Sequence, residues 1–139
     1  MSPVGVVGDL ERVRDLLARD AGAARHGIEV IEAADDEVVL AMTVRADMLN
    51  PGGTCHGGVL FLLGDTAVGQ AASAAGAVVV TTSATITYLA PARDGDVLHA
   101  HARPVHDGGR SGVVDVEIRT AAGSPVALVR GHVLRPAPR

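Results

Sequence analysis

Asn50, His56, Gly57 and Asp65 are the residues of this chain whose types and spacing could do chemistry. They share one stretch, Asn50-Pro51-Gly52-Gly53-Thr54-Cys55-His56-Gly57-Gly58, running on through Val59-Leu60-Phe61-Leu62-Leu63-Gly64-Asp65-Thr66-Ala67. A polar, glycine-rich loop opens an oily segment that carries one carboxylate. Such a carboxylate must be desolvated unless it has partners or a task. Desolvation favours proton uptake by a carboxylate, which suits general-base work. A helix N-terminus offers backbone N–H groups free of intrahelical partners, natural donors to a developing oxyanion. Gly57 sits at that terminus with no side chain to block an acyl group. The pair looks like chemistry rather than packing, with Asp65 suited to general-base work.

Spacing adds a statement about assembly. Gly57 and Asp65 are eight residues apart, about 12 Å along a helix at roughly 1.5 Å per residue. One carbonyl, whose reacting partners must approach to roughly 3–3.5 Å, cannot touch both. Asp65 of one subunit is therefore expected to face Gly57 of a neighbour. Asn50 can donate to a carbonyl or hold a water, and it can equally close an Asx turn. His56, as a lone histidine, suits a structural hydrogen bond better than an acid or base role. Cys55 and His56 are adjacent, so their side chains point apart on extended chain and Cys55 is assigned to packing.

The elements that must position these residues can be read from periodicity. Val6, Leu10, Val13 and Leu17 recur at helical spacing, with Asp9 and Glu11 in the first turn, giving a helix over about 8–21 that Gly22 or Gly27 ends. Residues 28–33 and 38–46 read as strands joined by a hairpin turn at Ala34-Asp35-Asp36, with Val38, Leu40, Met42 and Val44 on one face. Asn50-Pro51-Gly52-Gly53 breaks regular structure. From Gly58 to about Gly76 the pattern is helical and apolar on nearly every side, so this helix must be buried. Four strands follow, over 78–89, 97–105, 113–119 and 126–134, separated by turns at Arg93-Asp94-Gly95-Asp96, Asp107-Gly108-Gly109 and Ala122-Gly123-Ser124-Pro125. The tail from Arg135 onward reads as frayed. One buried helix with antiparallel strands implies an α+β packing in which a curved sheet wraps the helix.

These segments resemble the hotdog-fold acyl-coenzyme A thioesterases of the phenylacetic-acid-degradation type. The likeness is carried by Ala46-Asp47-Met48-Leu49-Asn50, Cys55-His56-Gly57-Gly58, Gly64-Asp65-Thr66-Ala67, Ser83-Ala84-Thr85-Ile86, Leu89-Ala90-Pro91, residues 112–118 and residues 126–131. It covers about 26–134 of a chain read as one domain, 1–139. The resemblance implies hydrolysis of an acyl- or aryl-coenzyme A thioester, phenylacetyl- or hydroxyphenylacetyl-like, with Asp65 as base or nucleophile and the Gly57 N–H as oxyanion donor. It further implies Asn50 and His56 in the site, Ser83 as a water-positioning hydroxyl on a strand face shared with Thr81, Thr85 and Thr87, and a homodimer as minimal unit within a homotetramer. No cofactor and no metal is expected. Arg93 and Arg110 are candidate contacts for the coenzyme A phosphates, because arginine suits phosphate. Two departures touch the acyl pocket: Gly64 precedes Asp65 where relatives often have alanine, and Val68, Gly69 and Gln70 replace aromatic positions. A non-catalytic acyl-coenzyme A-binding module is the alternative, distinguished by having no need of a buried base. A dehydratase on the same fold ranks last, because His56 is poorly placed for it.

Composition closes off other classes. With a formal charge of -4 and twelve basic residues, all arginine and scattered, the chain has no stripe for nucleic acid. His99 and His101 share a strand face, but nothing at ligand spacing completes a metal site. One cysteine allows no internal disulfide, and neither a secretory signal nor a membrane span is legible, so a cytoplasmic protein is expected. Aromatics make up 1%. The core must therefore be built of Val, Leu, Ile and Ala, with Phe61 and Tyr88 as its only large rings.

Overall fold

The computed structural model of the protein describes residues 10–34, 36–73 and 78–136. In chain order the elements are α1 (Leu10–Ala18), α2 (Ala21–Arg25), β1 (Glu29–Ala34), β2 (Glu37–Thr43), a 3-10 turn (Ala46–Met48), α3 (Gly57–Ala72), β3 (Val80–Tyr88), β4 (Val97–Asp107), β5 (Ser111–Thr120) and β6 (Pro125–Leu134). The strands form one six-stranded antiparallel sheet ordered β1-β2-β4-β5-β6-β3. The sheet is curved, and α3 packs against β2 through β6 in the expected hotdog arrangement.

Alternation along the strands decides which side chains meet the helix. Val38, Leu40, Met42 and Val44 are all buried, as are Leu98, Ala100 and Ala102 on β4 and Val114, Val116 and Ile118 on β5. Leu63 of α3 is wholly enclosed among them, a burial that stabilises by roughly 1.5–3 kcal/mol. Two glycines then bring helix and sheet into close contact. A Cβ at Gly64 would stand 2.6 Å from Val129 Cγ2, and one at Gly131 would stand 2.6 Å from Val68 Cγ1. Each glycine is the socket for a valine of the opposite element, the interdigitation that close-packed interiors require.

Several boundaries differ from the sequence expectation, each for a local reason. The N-terminal segment is two helices, because Asp20 is extended (φ -94°, ψ 95°) and accepts from the Ala23 N–H at 3.0 Å, capping a new helix. Gly22 lies inside α2, and Gly27, at φ 67°, follows its cap. β2 closes at Thr43 because Ala46–Met48 winds into the 3-10 turn. α3 ends at Ala72, where the Ser73 N–H and hydroxyl both donate to the Gly69 carbonyl, at 3.0 and 2.6 Å. Val6, Asp9, Asp35, Gly76 and residues 137–139 lie outside the described residues.

Arg135 is tied down rather than frayed. Its N–H donates to the Arg110 carbonyl at 2.6 Å, and its guanidinium reaches the carbonyls of Gly109 at 2.8 Å and Ala72 at 3.4 Å. The core is also more aliphatic than expected. Phe61 is half-buried and Tyr88 is 52% exposed, so neither ring is a core residue. No described helix is long and apolar enough to cross a membrane.

Candidate active site

The loop before α3 is held by its own polar groups. Asn50 Oδ1 accepts from the N–H groups of Gly52 and Thr54 at 3.0 and 3.1 Å, and its Nδ2 donates to Thr54 Oγ1 at 3.0 Å. Gly53 closes the turn at φ 81°, a conformation that favours glycine. The Cys55 N–H donates to the Ala92 carbonyl and the His56 N–H to the Met48 carbonyl, both at 2.7 Å, pinning the loop to two neighbouring segments. Asn50 is thus the Asx residue of its turn, with one Nδ2 hydrogen uncommitted among the described residues.

His56 caps α3, its Nδ1 accepting from the Gly58 N–H at 3.0 Å. This is the structural hydrogen bond expected of it. Among the described residues the Gly57 N–H has no acceptor, leaving a free donor at the positive end of the helix. Burial pushes the Cys55 thiol above its ordinary pKa, so it stays protonated and unreactive at neutral pH.

Asn50 and Gly57 line one cleft, of about 410 Å³, with Thr54, Cys55, Leu60, Tyr88 and Pro91. Asp65 lines another, of about 630 Å³, with Leu62, Thr66, Gly69, Gln70 and Thr81. One chain therefore presents the donor loop and the carboxylate in separate clefts, as the spacing argument requires. Asp65 is half-buried, and its Oδ1 is wholly enclosed without a hydrogen-bond partner among the described residues. Such an oxygen is costly in a purely structural role.

Ser83 does not share a face with Thr81. Thr81 pairs with Val133 and Ser83 with His132, so Thr82 is an extra residue in a bulge that reverses the alternation. Val133 is buried and His132 exposed, which puts Thr81 on the helix side and Ser83 outside. Of the β3 hydroxyls it is thus Thr81 that lines the Asp65 cleft, beside Thr66 of α3 and Ser73 at the helix end, and sequence reasoning missed it because period-two counting passes over a bulge. Thr85 and Thr87 line a third cleft, on the outer face.

The two candidate phosphate contacts are far apart in one chain. Arg93 follows Ala92, whose carbonyl binds Cys55 at the start of α3, whereas Arg110 is joined through Arg135 to Ala72 at its end. Both side chains are exposed. Gly69 and Gln70, two of the positions that depart from the resembling family, border the Asp65 cleft, while Val68 fills the Gly131 socket. His99 and His101 face each other edge-on at 6.3 Å, and His101 also approaches Glu37 at 3.7 Å.

A curved antiparallel sheet wrapped on one long helix is the hotdog fold of thioesterases. A family model for the thioesterase superfamily matches residues 52–127, more than half of the chain, and the chain belongs to that superfamily. The acyl-coenzyme A thioesterase PaaI of Escherichia coli is 43% identical over 112 residues, 81% of this chain and 80% of that protein. The solved structure of the E. coli PaaI protein, from the phenylacetic acid degradation operon, superposes with a TM-score of 0.87 at 38% identity, covering 91% of this chain and 92% of that one. A Streptococcus mutans protein solved with acetyl-coenzyme A gives a TM-score of 0.75 at 29% identity, covering 81% and 90%. A hypothetical thioesterase of Streptococcus pneumoniae, solved as an aspartate-to-alanine variant, gives 0.75 at 30% identity, covering 80% and 92%. A threonine-to-alanine variant of that protein has also been solved, at a position sixteen residues after the aspartate.

Proposed function

We propose that this chain hydrolyses an acyl- or aryl-coenzyme A thioester to the free acid and coenzyme A, with Asp65 as the reacting carboxylate. The observation that carries the reading is the Asp65 oxygen, enclosed in an apolar helix beside a cleft and without a partner among the described residues. Asp65 takes a proton from water as that water adds to the thioester carbonyl, or attacks the carbonyl itself to give an anhydride that water then opens. In either case the carbonyl oxygen gains negative charge and meets the Gly57 N–H, with Asn50 Nδ2 beside it. Collapse breaks the carbon–sulfur bond, and the coenzyme A sulfur leaves with the electron pair. Thr81, in the Asp65 cleft, is placed to orient the water, with Ser83 on the outer face of the same strand.

The active unit we propose is a two-fold homodimer paired through β3. That strand is a sheet edge with no charged residue and no proline, whereas the opposite edge strand, β1, carries Glu29 and Glu32. Unguarded edges pair with other strands. Thr81, near one end of β3, borders the Asp65 cleft, and Tyr88, at the other end, borders the Gly57 cleft. Antiparallel pairing of two β3 edges brings unlike ends together, so each donor loop meets the partner's carboxylate. Arg93 and Arg110, at opposite ends of α3, can then serve coenzyme A phosphates from two chains. Two dimers joined over the outer faces, where Val105 and Leu128 are exposed, make the proposed homotetramer. We place this one-domain enzyme in the cytoplasm, a setting its single, buried free cysteine suits.

Phenylacetyl- and hydroxyphenylacetyl-coenzyme A are the first substrates to assay. Asp65→Ala and Asp65→Asn are expected to lose at least about 100-fold in kcat, the usual scale for a positioned acid–base group. Wild-type turnover in both variants would overturn the mechanism. Binding of the thioester without turnover by the unmodified chain would make it an acyl-coenzyme A-binding module instead.

A further inference from the structure

A glycine is a loose support for an oxyanion donor, because its φ and ψ are the least restricted of any residue. Around Gly57 the structure supplies what glycine lacks. The peptide unit joining Gly57 to Gly58 is gripped at both ends: His56 Nδ1 accepts from its N–H at 3.0 Å, and the Tyr88 hydroxyl donates to its carbonyl, that of Gly57, at 3.0 Å. The ring is also seated on the glycine. A Cβ at Gly57 would stand 2.9 Å from the Tyr88 hydroxyl oxygen and 3.0 Å from Cζ. The absent side chain at position 57 thus makes room for Tyr88, in addition to any room it makes for substrate. Tyr88 is the only tyrosine of the chain, it is 52% exposed, and it forms a wall of the cleft that Asn50 and Gly57 line.

We propose that Tyr88 is a positioning residue for thioester hydrolysis, clamping the Gly57–Gly58 peptide against His56 so that the adjoining Gly57 N–H points at the carbonyl oxygen. The inference rests on the thioesterase reading above. It adds a second role, since the same ring bounds the mouth of the cleft through which a thioester reaches the donor. A tyrosine buried in the core would be retained for packing; this one, 52% exposed in the single chain, contributes through its hydroxyl and its position.

The test compares Tyr88→Phe with the parent enzyme on phenylacetyl-coenzyme A, with Asp65→Asn assayed alongside. Losing one neutral hydrogen bond is expected to lower kcat by about 3- to 10-fold. KM should stay within about twofold, and the melting temperature and sedimentation coefficient should be unchanged. Tyr88→Leu, which also removes the cleft wall, is expected to raise KM in addition. A Tyr88→Phe kcat equal to the parent's would overturn the inference, as would a loss carried entirely by KM or by a fall in melting temperature. Full activity in Asp65→Asn would instead sink the underlying thioesterase mechanism. An inactive Asp65→Asn beside a fully active Tyr88→Phe would remove the clamp alone.

Discussion

Asp65 is legible in the sequence because a charge in an oily helix is an anomaly that only partners or a task can justify. Asn50, His56 and Gly57 are legible for a similar reason, since loop chemistry and a helix N-terminus constrain which polar groups can stand there. Thr81 and Tyr88 are not. Thr81 is hidden by the bulge at Thr82, and Tyr88 reads as a core aromatic until its hydroxyl is seen on the Gly57 carbonyl. A charge pair far from the site is equally invisible beforehand. Arg130 meets Asp115 across β5 and β6 with two hydrogen bonds, at 2.6 and 2.7 Å, and these hold the Asp115 carboxyl below its ordinary value of 3.8. A carboxyl depressed by folding stabilises fully above its unfolded value and less as pH falls through the folded one. Asp115→Asn should therefore lower the melting temperature at neutral pH, and the gap should close below about pH 3.8. Thermal unfolding across an acid series checks this, and a gap that persists in acid would show that the charge contributes nothing.

At the scale of elements, the strands and the central helix follow from periodicity because sheet alternation and an all-apolar helix are strong signals. Their ends do not, since Asp20, Ser73 and the 3-10 turn act through single hydrogen bonds. How closely α3 meets the sheet was also out of reach, for it depends on which glycine faces which valine. Two glycines in the body of α3, Gly64 and Gly69, should respond oppositely to alanine. Gly69 has nothing within 4 Å of a built Cβ, whereas at Gly64 that atom would meet Val129 Cγ2 at 2.6 Å. Gly69→Ala should stabilise by about 0.5–1 kcal/mol through helix propensity. Gly64→Ala should destabilise by about 1–3 kcal/mol through overpacking. Chemical denaturation of both variants measures the contrast, and equal responses would refute the socket.

At the scale of the whole molecule, the formal charge of -4 and the scattered arginines are legible without coordinates. Gly57 and Asp65 line different clefts of one chain, and the proposed dimer is what would bring them together. Complementation tests the dimer directly. Asp65→Asn and Asn50→Ala homodimers should both be impaired, yet each mixed dimer holds one site built from the intact carboxylate of one chain and the intact loop of the other. Co-refolding the two in equal amounts should restore about a quarter of the parent activity, since half the dimers are mixed and half their sites intact. A mixture no better than its components would place the whole site within one chain.

The paired sockets of α3 and β6 have a further meaning for descent. Gly64 is bound to Val129 and Gly131 to Val68 by contact, so neither glycine is free to drift alone. A lineage that acquires alanine at position 64 must trim position 129 or let the helix ride higher over the sheet. Raising the helix would move Asp65, the residue immediately after the first socket, relative to the strand that carries Thr81. In this way two missing methyl groups on the packed faces of α3 and β6 restrain how the carboxylate proposed to react can evolve.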